Sequence, residues 1–284
     1  MIKTVRQARS ALALLNPGEI RQRANRRVVV GLVAENDRGY RELEDFLVPE
    51  TTPSAARARA LEAMYRASDN NRDPHVDLVL YAPGLPYPSG TFRYRREDPS
   101  ATIAEILREN DELTLPLARH LPAFRKPVVE GIVHTVALEN AVFAIATALP
   151  NIVPNLLELP WALGEFASDT AFVTMNQMRM AFLIAAASGA EVGFSNQKIE
   201  MLSIAAGGFG WRAIARELAG KIPLGAGLIP KGAIAYAGTF VVGMGLERYH
   251  RARIRYTAAE RDQAYREAYE RGKALAESFR REPG

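Results

Sequence analysis

The segment KIPLGAGLIPKGAIAYAGTFVVGMG, residues 221–245, combines six glycines with a long apolar run around Lys231. Such a pattern occurs in phosphate-binding loops, in membrane spans and in helices that pack closely. A phosphate loop needs a glycine before its lysine and a hydroxyl residue after it, because backbone amides wrap the phosphates and the hydroxyl serves magnesium. Pro230 and Gly232 occupy those positions here. The sequence therefore favours the membrane and packing interpretations.

A helix that starts near Lys231 would carry its small residues on one side and its bulky ones on another, because residues four apart share a face. Tyr236, Phe240 and Met244 form the bulky side. Small stripes let a second helix approach closely, in a protein core or in a bilayer. The predicted helix-packing residues are Gly232, Ala235, Thr239 and Gly243.

The apolar run from Gly232 to Leu246 is shorter than the roughly 20 residues that a membrane-spanning helix needs. A buried or re-entrant hairpin fits this length better than a simple span. Around it, residues 136–246 contain 13 charged residues in 111 positions, about half the density of the whole chain. This half is predicted to be mostly helical and mostly buried.

Two strands are predicted in the first half, VVVGLV at residues 28–33 and VDLVLYA at residues 76–82. Helices are expected between them at residues 40–47 and 55–67, which gives a small βαβ pattern. A surface loop should cover residues 83–99, and Asp98 should start a helix that runs towards Leu115.

These patterns predict a mainly α protein, with an α-helical C-terminal bundle preceded by a small α/β unit of two or three strands. The expected division is a basic helical segment at 1–27, the α/β unit at 28–124, a helical domain at 125–250 and a charged, solvated amphipathic helix at 251–284. The short apolar run near the N-terminus, ALALL, does not resemble a signal peptide, so export is not expected.

Positive charge is concentrated in the first 27 residues, where Glu19 is the single acidic residue. Each basic residue close to an anionic membrane contributes about 1 kcal/mol to binding. An ordinary solvated helix explains the same pattern, so both interpretations stay open. The possible lipid-facing residues are Lys3, Arg6, Arg9, Arg21, Arg23, Arg26 and Arg27.

Signals for catalysis are weak, and we predict no catalytic residues, no cofactor and no metal site. The chain has no cysteine, and its four histidines are far apart. Ser195 lies in a GFSNQ segment that lacks the second glycine of a serine-nucleophile turn and is better explained as a helix cap. Glu42, Glu44 and Asp45 are predicted to form the solvated face of one short helix.

The first strand is followed by GLVAENDR, residues 31–38, in the frame where a GTPase has its phosphate loop. Asn36, Asp37 and Arg38 replace the glycine, lysine and hydroxyl residues, and two negative charges would repel a polyphosphate. YAPG at residues 81–84 has tyrosine where a GTPase has its magnesium-associated aspartate. The unit is either a degenerate GTPase-like remnant or an unrelated α/β unit.

Beyond residue 125, the order and spacing of several segments resemble the YcjF-like family, a bacterial domain of unknown function. These segments are ATALPNIVPNLLELP, QMRMAFLIAAASGAEV, AAGGFGWRAIARELAGKIP and GAGLIPKGAIAYAGTFVVGMGLERYH. The resemblance covers roughly residues 125–250. It implies a helical domain at or in the inner membrane, often found beside GTPase-like domains, and it implies no catalytic residue.

Three functions follow as hypotheses. The first is a non-enzymatic, membrane-associated helical protein with a GTPase-like unit that does not bind nucleotide, on the cytoplasmic side of the inner membrane, either peripheral or with a short inserted hairpin. The second is a soluble, cytoplasmic module for self-association or partner binding, and the third is an NTPase-related protein. Expected partners are an anionic membrane surface, a second copy of the chain or a GTPase-like protein; nucleic acid is not expected, because no recognised binding module accompanies the basic residues.

Overall fold

The computed structural model describes residues 15–66, 76–147, 169–205 and 228–281. These ranges contain ten α-helices and four short strands, which confirms the mainly α class with a small α/β unit. The chain forms two compact units. The first, called the α/β unit, comprises residues 19–129 and 186–191; the second, called the helical unit, includes residues 130–185 and the chain from 192 onward.

The α/β unit contains a parallel sheet with the strand order β2-β1-β3-β4. Its strands are β1 (Val30–Val33), β2 (Met64–Arg66), β3 (Leu78–Tyr81) and β4 (Phe92–Arg93). The two central strands are the ones that the sequence predicts, since Val30, Leu32 and Leu80 are completely buried and favour a strand with both faces covered. β2 and β4 add two strands that their short, mixed sequences do not indicate.

Five α-helices lie between residues 17 and 120. Asn36 and Asp98 begin two of them, because their side chains accept hydrogen bonds from the amides of Gly39 and Ala101, three residues later. The helices are α1 (Pro17–Ala24), α2 (Asp37–Leu47), α3 (Ser54–Leu61), α4 (Pro99–Glu109) and α5 (Thr114–His120).

Two predicted helix ends are wrong. α3 ends at Leu61 rather than near residue 67, because pairing of β2 with β1 draws residues 64–66 into the sheet. α4 ends at Glu109 rather than near Leu115, where the Asn110 side chain donates to the carbonyl of Ile106 and a 3₁₀ turn follows. The loop predicted over residues 83–99 contains the short strand β4.

Five further helices are α6 (Pro122–Ala146), α7 (Asp169–Ala187), α8 (Lys198–Ala205), α9 (Leu228–Ala252) and α10 (Ala258–Arg281). In the helical unit, α9 packs along α10, where Tyr236 and Ala237 are buried with Tyr265 and Ala268. Gly272 of α10 permits this approach, since a Cβ there would lie 2.9 Å from the Cβ of Tyr236. One side of the charged C-terminal helix is thus buried against an apolar neighbour.

Candidate functional site

The small residues predicted for helix packing lie on the buried surface of α9. A Cβ added to Gly232 would lie 2.7 Å from Ile145 Cδ1 of α6, and one added to Gly243 would lie 2.5 Å from Val133 Cγ2 of the same helix. Ala235 is 8% exposed and Thr239 is completely buried. At both glycines the backbone of α9 approaches α6 so closely that a side chain has no room.

Thr239 also belongs to a buried polar cluster that joins three helices. Its hydroxyl accepts hydrogen bonds from Asn140 Nδ2 of α6 at 2.8 Å and from Gln177 Nε2 of α7 at 3.3 Å. Asn140 Oδ1 in turn accepts from Asn176 Nδ2 of α7 at 3.0 Å. All four side chains belong to residues that are at most 5% exposed, so these bonds are formed without competition from bulk water.

An ion pair extends the same cluster towards the surface. Arg179 of α7 donates to Glu139 Oε2 of α6 at 2.6 Å and to Asn176 Oδ1 at 3.1 Å, and Asn176 also donates to Glu139. Both charged side chains are about one-fifth exposed. We call Glu139, Asn140, Asn176, Gln177, Arg179 and Thr239 the polar cluster; because its bonds need one alignment of three helices, it fixes their register.

Sequence pattern does not indicate this cluster directly, because its members are separated by up to about 100 positions. The available signal was the occurrence of Asn, Gln and Thr within otherwise apolar helical segments. Such residues are costly to bury unless they are hydrogen-bonded to one another. Their pairing across helices becomes visible only once the helices are packed.

The histidines do not converge on a common site. His134 shares a hydrogen bond of 3.0 Å with the Tyr236 hydroxyl, and His250 Nε2 lies 3.8 Å from Glu200. His120 is half-buried on α5, and His75 lies outside the described residues. Among the described residues, no group of three or more His, Asp or Glu side chains is placed to hold a metal ion.

Acidification is expected to destabilise the protein through His120. Burial, and then the charge of Arg119, lower the pKa of this side chain from its ordinary value of 6.5. The unfolded chain then takes up its proton at a higher pH than the folded chain, so stability falls as the pH drops from about 6.5 towards the folded pKa. Melting curves between about pH 7.5 and 5.5 should show a smaller loss for His120→Gln than for the wild type. Equal losses in the two proteins would contradict this assignment.

Parallel α/β proteins usually bind ligands at the carboxyl end of the sheet, in the crevice where the strand order reverses. In this sheet that point lies between β1 and β3. Only residues 34–36 separate β1 from α2. The Asn36 side chain accepts a hydrogen bond from the amide of Gly39, in the first turn of the helix, and a Cβ on Gly39 would lie 2.9 Å from Ala34 Cβ. The helix start is thus packed directly onto the strand end, with Glu35 and Asp37 exposed beside it.

The acidic residues of α2, predicted to be solvated, are paired with arginines from other elements. Arg96 donates to both oxygens of Glu42 at 2.6 and 2.7 Å, and this hydrogen bond lowers the pKa of Glu42. Arg66 binds Glu44 at 2.9 Å, and Arg57 binds Asp45 at 2.6 Å. These pairs are partly exposed, so solvent weakens the attraction within each of them. Their role is structural support of the α/β unit.

The predicted basic segment is only partly described. Lys3, Arg6 and Arg9 lie outside the described residues. Arg21, Arg23, Arg26 and Arg27 are exposed. Arg26 pairs with Asp77 at 3.2 Å and with Glu112 at 3.7 Å, which reduces its availability to an external anion.

Two helices in the described ranges are long and apolar enough to cross a membrane. An 18-residue window within Pro122–Ala146 has a mean hydropathy of 1.5, and one within Ile229–Ala252 has a mean hydropathy of 1.2. Half of the first window and two-thirds of the second are buried within the protein. The core helix of a soluble protein has the same properties, so length and composition show only the capacity for membrane insertion.

Comparison of the chain with protein-family models, with curated proteins and with solved structures found no match.

Proposed function

We propose that this chain is a non-enzymatic, membrane-associated helical protein of the YcjF-like type, acting on the cytoplasmic side of the inner membrane. The observation that carries the proposal is an exposed apolar surface on and before α8. Phe194, Ile199 and Leu202 lie within a stretch of nine residues, and they are 45%, 63% and 61% exposed. Large apolar patches of this kind mark contacts with membranes or other proteins.

The helices around the polar cluster support a lipid environment. Their hydrogen-bonding groups face one another, whereas the apolar side chains of Leu138, Val142 and Met175 are partly exposed. Polar groups inside and apolar groups outside is the arrangement that membrane proteins use. α6 and α9 are long and apolar enough to enter a membrane. The surface is therefore compatible with peripheral attachment and with a short inserted hairpin.

The α/β unit in this proposal is GTPase-like in its order of elements and does not bind nucleotide. The short β1–α2 connection supports this, because the Asn36 side chain already accepts a hydrogen bond from Gly39, one of the first-turn amides on which helix N-termini bind phosphate. The exposed carboxylates of Glu35 and Asp37 would in addition repel a polyphosphate.

Flotation of the full chain with anionic vesicles tests the membrane proposal. We expect the wild type to float and the double variant Ile199→Ser, Leu202→Ser to bind at least about tenfold more weakly, since each buried Ile or Leu contributes about 1.5–3 kcal/mol. The matched control is Leu61→Ser, Tyr87→Ser, which removes two exposed apolar residues of the α/β unit and should float like the wild type.

The salt dependence of flotation separates the two sources of attachment. Replacement of Arg21, Arg23 and Arg27 by glutamine should weaken vesicle binding at low salt and have little effect at high salt, because salt screens exposed charges. A wild-type chain that remains entirely unbound at both salt concentrations would refute the membrane proposal.

A second candidate, a soluble module for self-association or partner binding, is favoured by the packing of α10 on α9. This charged helix covers the apolar side formed by Tyr236, Ala237 and Val241, so that part of α9 does not face lipid in this arrangement. The second candidate requires a chain that is monodisperse without detergent and does not float. If the wild type dimerises and the Ile199→Ser, Leu202→Ser variant does not, the α8 surface is a contact between proteins.

A further inference from the structure

A cavity of about 100 Å³ lies within the helical unit between α8, α9 and the beginning of α10. Its floor is apolar and includes Val241 and Leu246. Its polar lining consists of Glu200, Ser203, Tyr249, Arg255, Tyr256 and Arg261. The polar cluster does not line it; of the two exposed apolar residues of α8, Ile199 lines the cavity and Leu202 does not.

The volume limits what this cavity accepts. An apolar cavity of about 150 Å³ admits one benzene molecule, so a space of this size suits a compact group. Sites for nucleotides and drug-sized ligands are several times larger, about 300–1,000 Å³. A compact group such as a single oxyanion fits this volume.

The lining has a surplus of hydrogen-bond donors. Arg261 Nε is buried and has no hydrogen-bond partner among the described residues, while its Nη2 lies 3.4 Å from Asp262. Arg255 lies over the ring of Tyr249, with its Cζ 6.0 Å from the ring centre. The lining includes two guanidinium groups, of which that of Arg255 belongs to an exposed residue, and one carboxylate, that of Glu200. The Ser203 and Tyr256 hydroxyls add further donors. A buried donor left without a partner is costly, so an anion here would supply a missing interaction.

The neighbouring carboxylates do not meet this need. Glu260 is occupied by Arg248 at 3.0 Å and by the amide of Thr257 at 2.9 Å. Glu200 is turned towards His250, with 3.8 Å between its Oε1 and the imidazole Nε2, and its side chain is 11% exposed. Glu200 is therefore an acceptor inside a site that is otherwise formed by donors.

We propose that this cavity binds a phosphate group that carries a hydroxyl. Arg261 and Arg255 bind the charged oxygens, Ser203 and Tyr256 donate to them, and the P–OH donates to Glu200. Sulfate has no proton at neutral pH, so Glu200 repels it and selects phosphate. The same chemistry belongs to inorganic phosphate and to a phosphate monoester at the head of a lipid, and it is independent of membrane association.

Calorimetric titration of the full chain with inorganic phosphate and with sulfate, at matched ionic strength, tests this site. We expect phosphate to bind at least about tenfold more tightly than sulfate, Arg261→Gln to weaken phosphate binding by about tenfold to hundredfold, and Ser203→Ala to weaken it by a smaller factor. Glu200→Gln should remove the preference for phosphate. The control Arg266→Gln, an exposed arginine elsewhere on α10, should bind like the wild type.

Vesicles of phosphatidic acid, a monoester, and of phosphatidylglycerol, a diester, identify the source of the phosphate. Tighter binding to phosphatidic acid than to phosphatidylglycerol at matched surface charge, with the difference removed by inorganic phosphate, assigns the site to a lipid headgroup. Titration by inorganic phosphate with equal binding to the two kinds of vesicle assigns it to the free ion. Circular dichroism establishes that the variants are folded. The proposal is overturned if phosphate does not bind, if sulfate binds equally well, or if folded Arg261→Gln retains wild-type affinity.

Discussion

Gly243→Ala is expected to destabilise the protein by about 1–3 kcal/mol, the usual cost of overpacking a filled core. The added Cβ would lie 2.5 and 2.8 Å from the two methyl carbons of Val133 and 3.0 Å from Met180 Sδ. Val133 is completely buried and branched at Cβ, so it cannot rotate away easily. In an open helix the same change is stabilising, because alanine has the higher helix propensity.

Gly131→Ala on α6 is the matched control, since no atom lies within 4 Å of a Cβ at that position. It should stabilise the protein by up to about 1 kcal/mol. Urea unfolding of both variants measures the two effects, and their opposite signs are the result that matters. A Gly243→Ala variant that is as stable as Gly131→Ala would show that α9 and α6 do not pack as closely as described.

Asn140→Leu is expected to lower the free energy of unfolding by about 1–3 kcal/mol, because it removes two buried hydrogen bonds that each contribute about 0.5–1.5 kcal/mol. The substitution removes the donor to Thr239 and the acceptor for Asn176, both of them buried. Leucine is close to asparagine in shape, so lost hydrogen bonds rather than lost volume account for the effect.

A double-mutant cycle with Asn176→Leu tests whether the cluster acts as one unit. The double variant should be less destabilised than the sum of the single variants, by about 0.5–3 kcal/mol, because residues in one hydrogen-bond network are coupled. Thr135→Val, at an exposed position of α6, should change stability by less than about 0.5 kcal/mol. Strictly additive effects of Asn140→Leu and Asn176→Leu would contradict a coupled network.

The α/β unit illustrates how far local pattern predicts structure. Its central strands follow from long β-branched and apolar runs that need two covered faces. β2 and β4 are three and two residues long, and they exist because neighbouring strands offer them hydrogen-bonding partners. No pattern within such short segments can indicate a partner that is supplied from elsewhere in the chain.

The same limit applies to charges and to polar side chains. Glu42 was predicted to be solvated because its helix carries charges all around, whereas Arg96 lies 54 positions away and forms two hydrogen bonds with it. In α9, helical periodicity grouped Thr239 and Gly243 on one stripe. Periodicity alone did not identify Asn140 or Val133 as the residues that they contact.

α10 buries the apolar side of α9, but the ribosome makes α10 after α9. The apolar helix ends at Ala252, and its charged cover extends from Ala258 to Arg281. At about 5–20 residues per second, the ribosome takes a few seconds to complete the cover after the helix has been made. During that interval Tyr236, Ala237 and Val241 lack the residues that bury them. The nascent chain therefore passes through a stage in which the apolar side of α9 is not yet buried by α10.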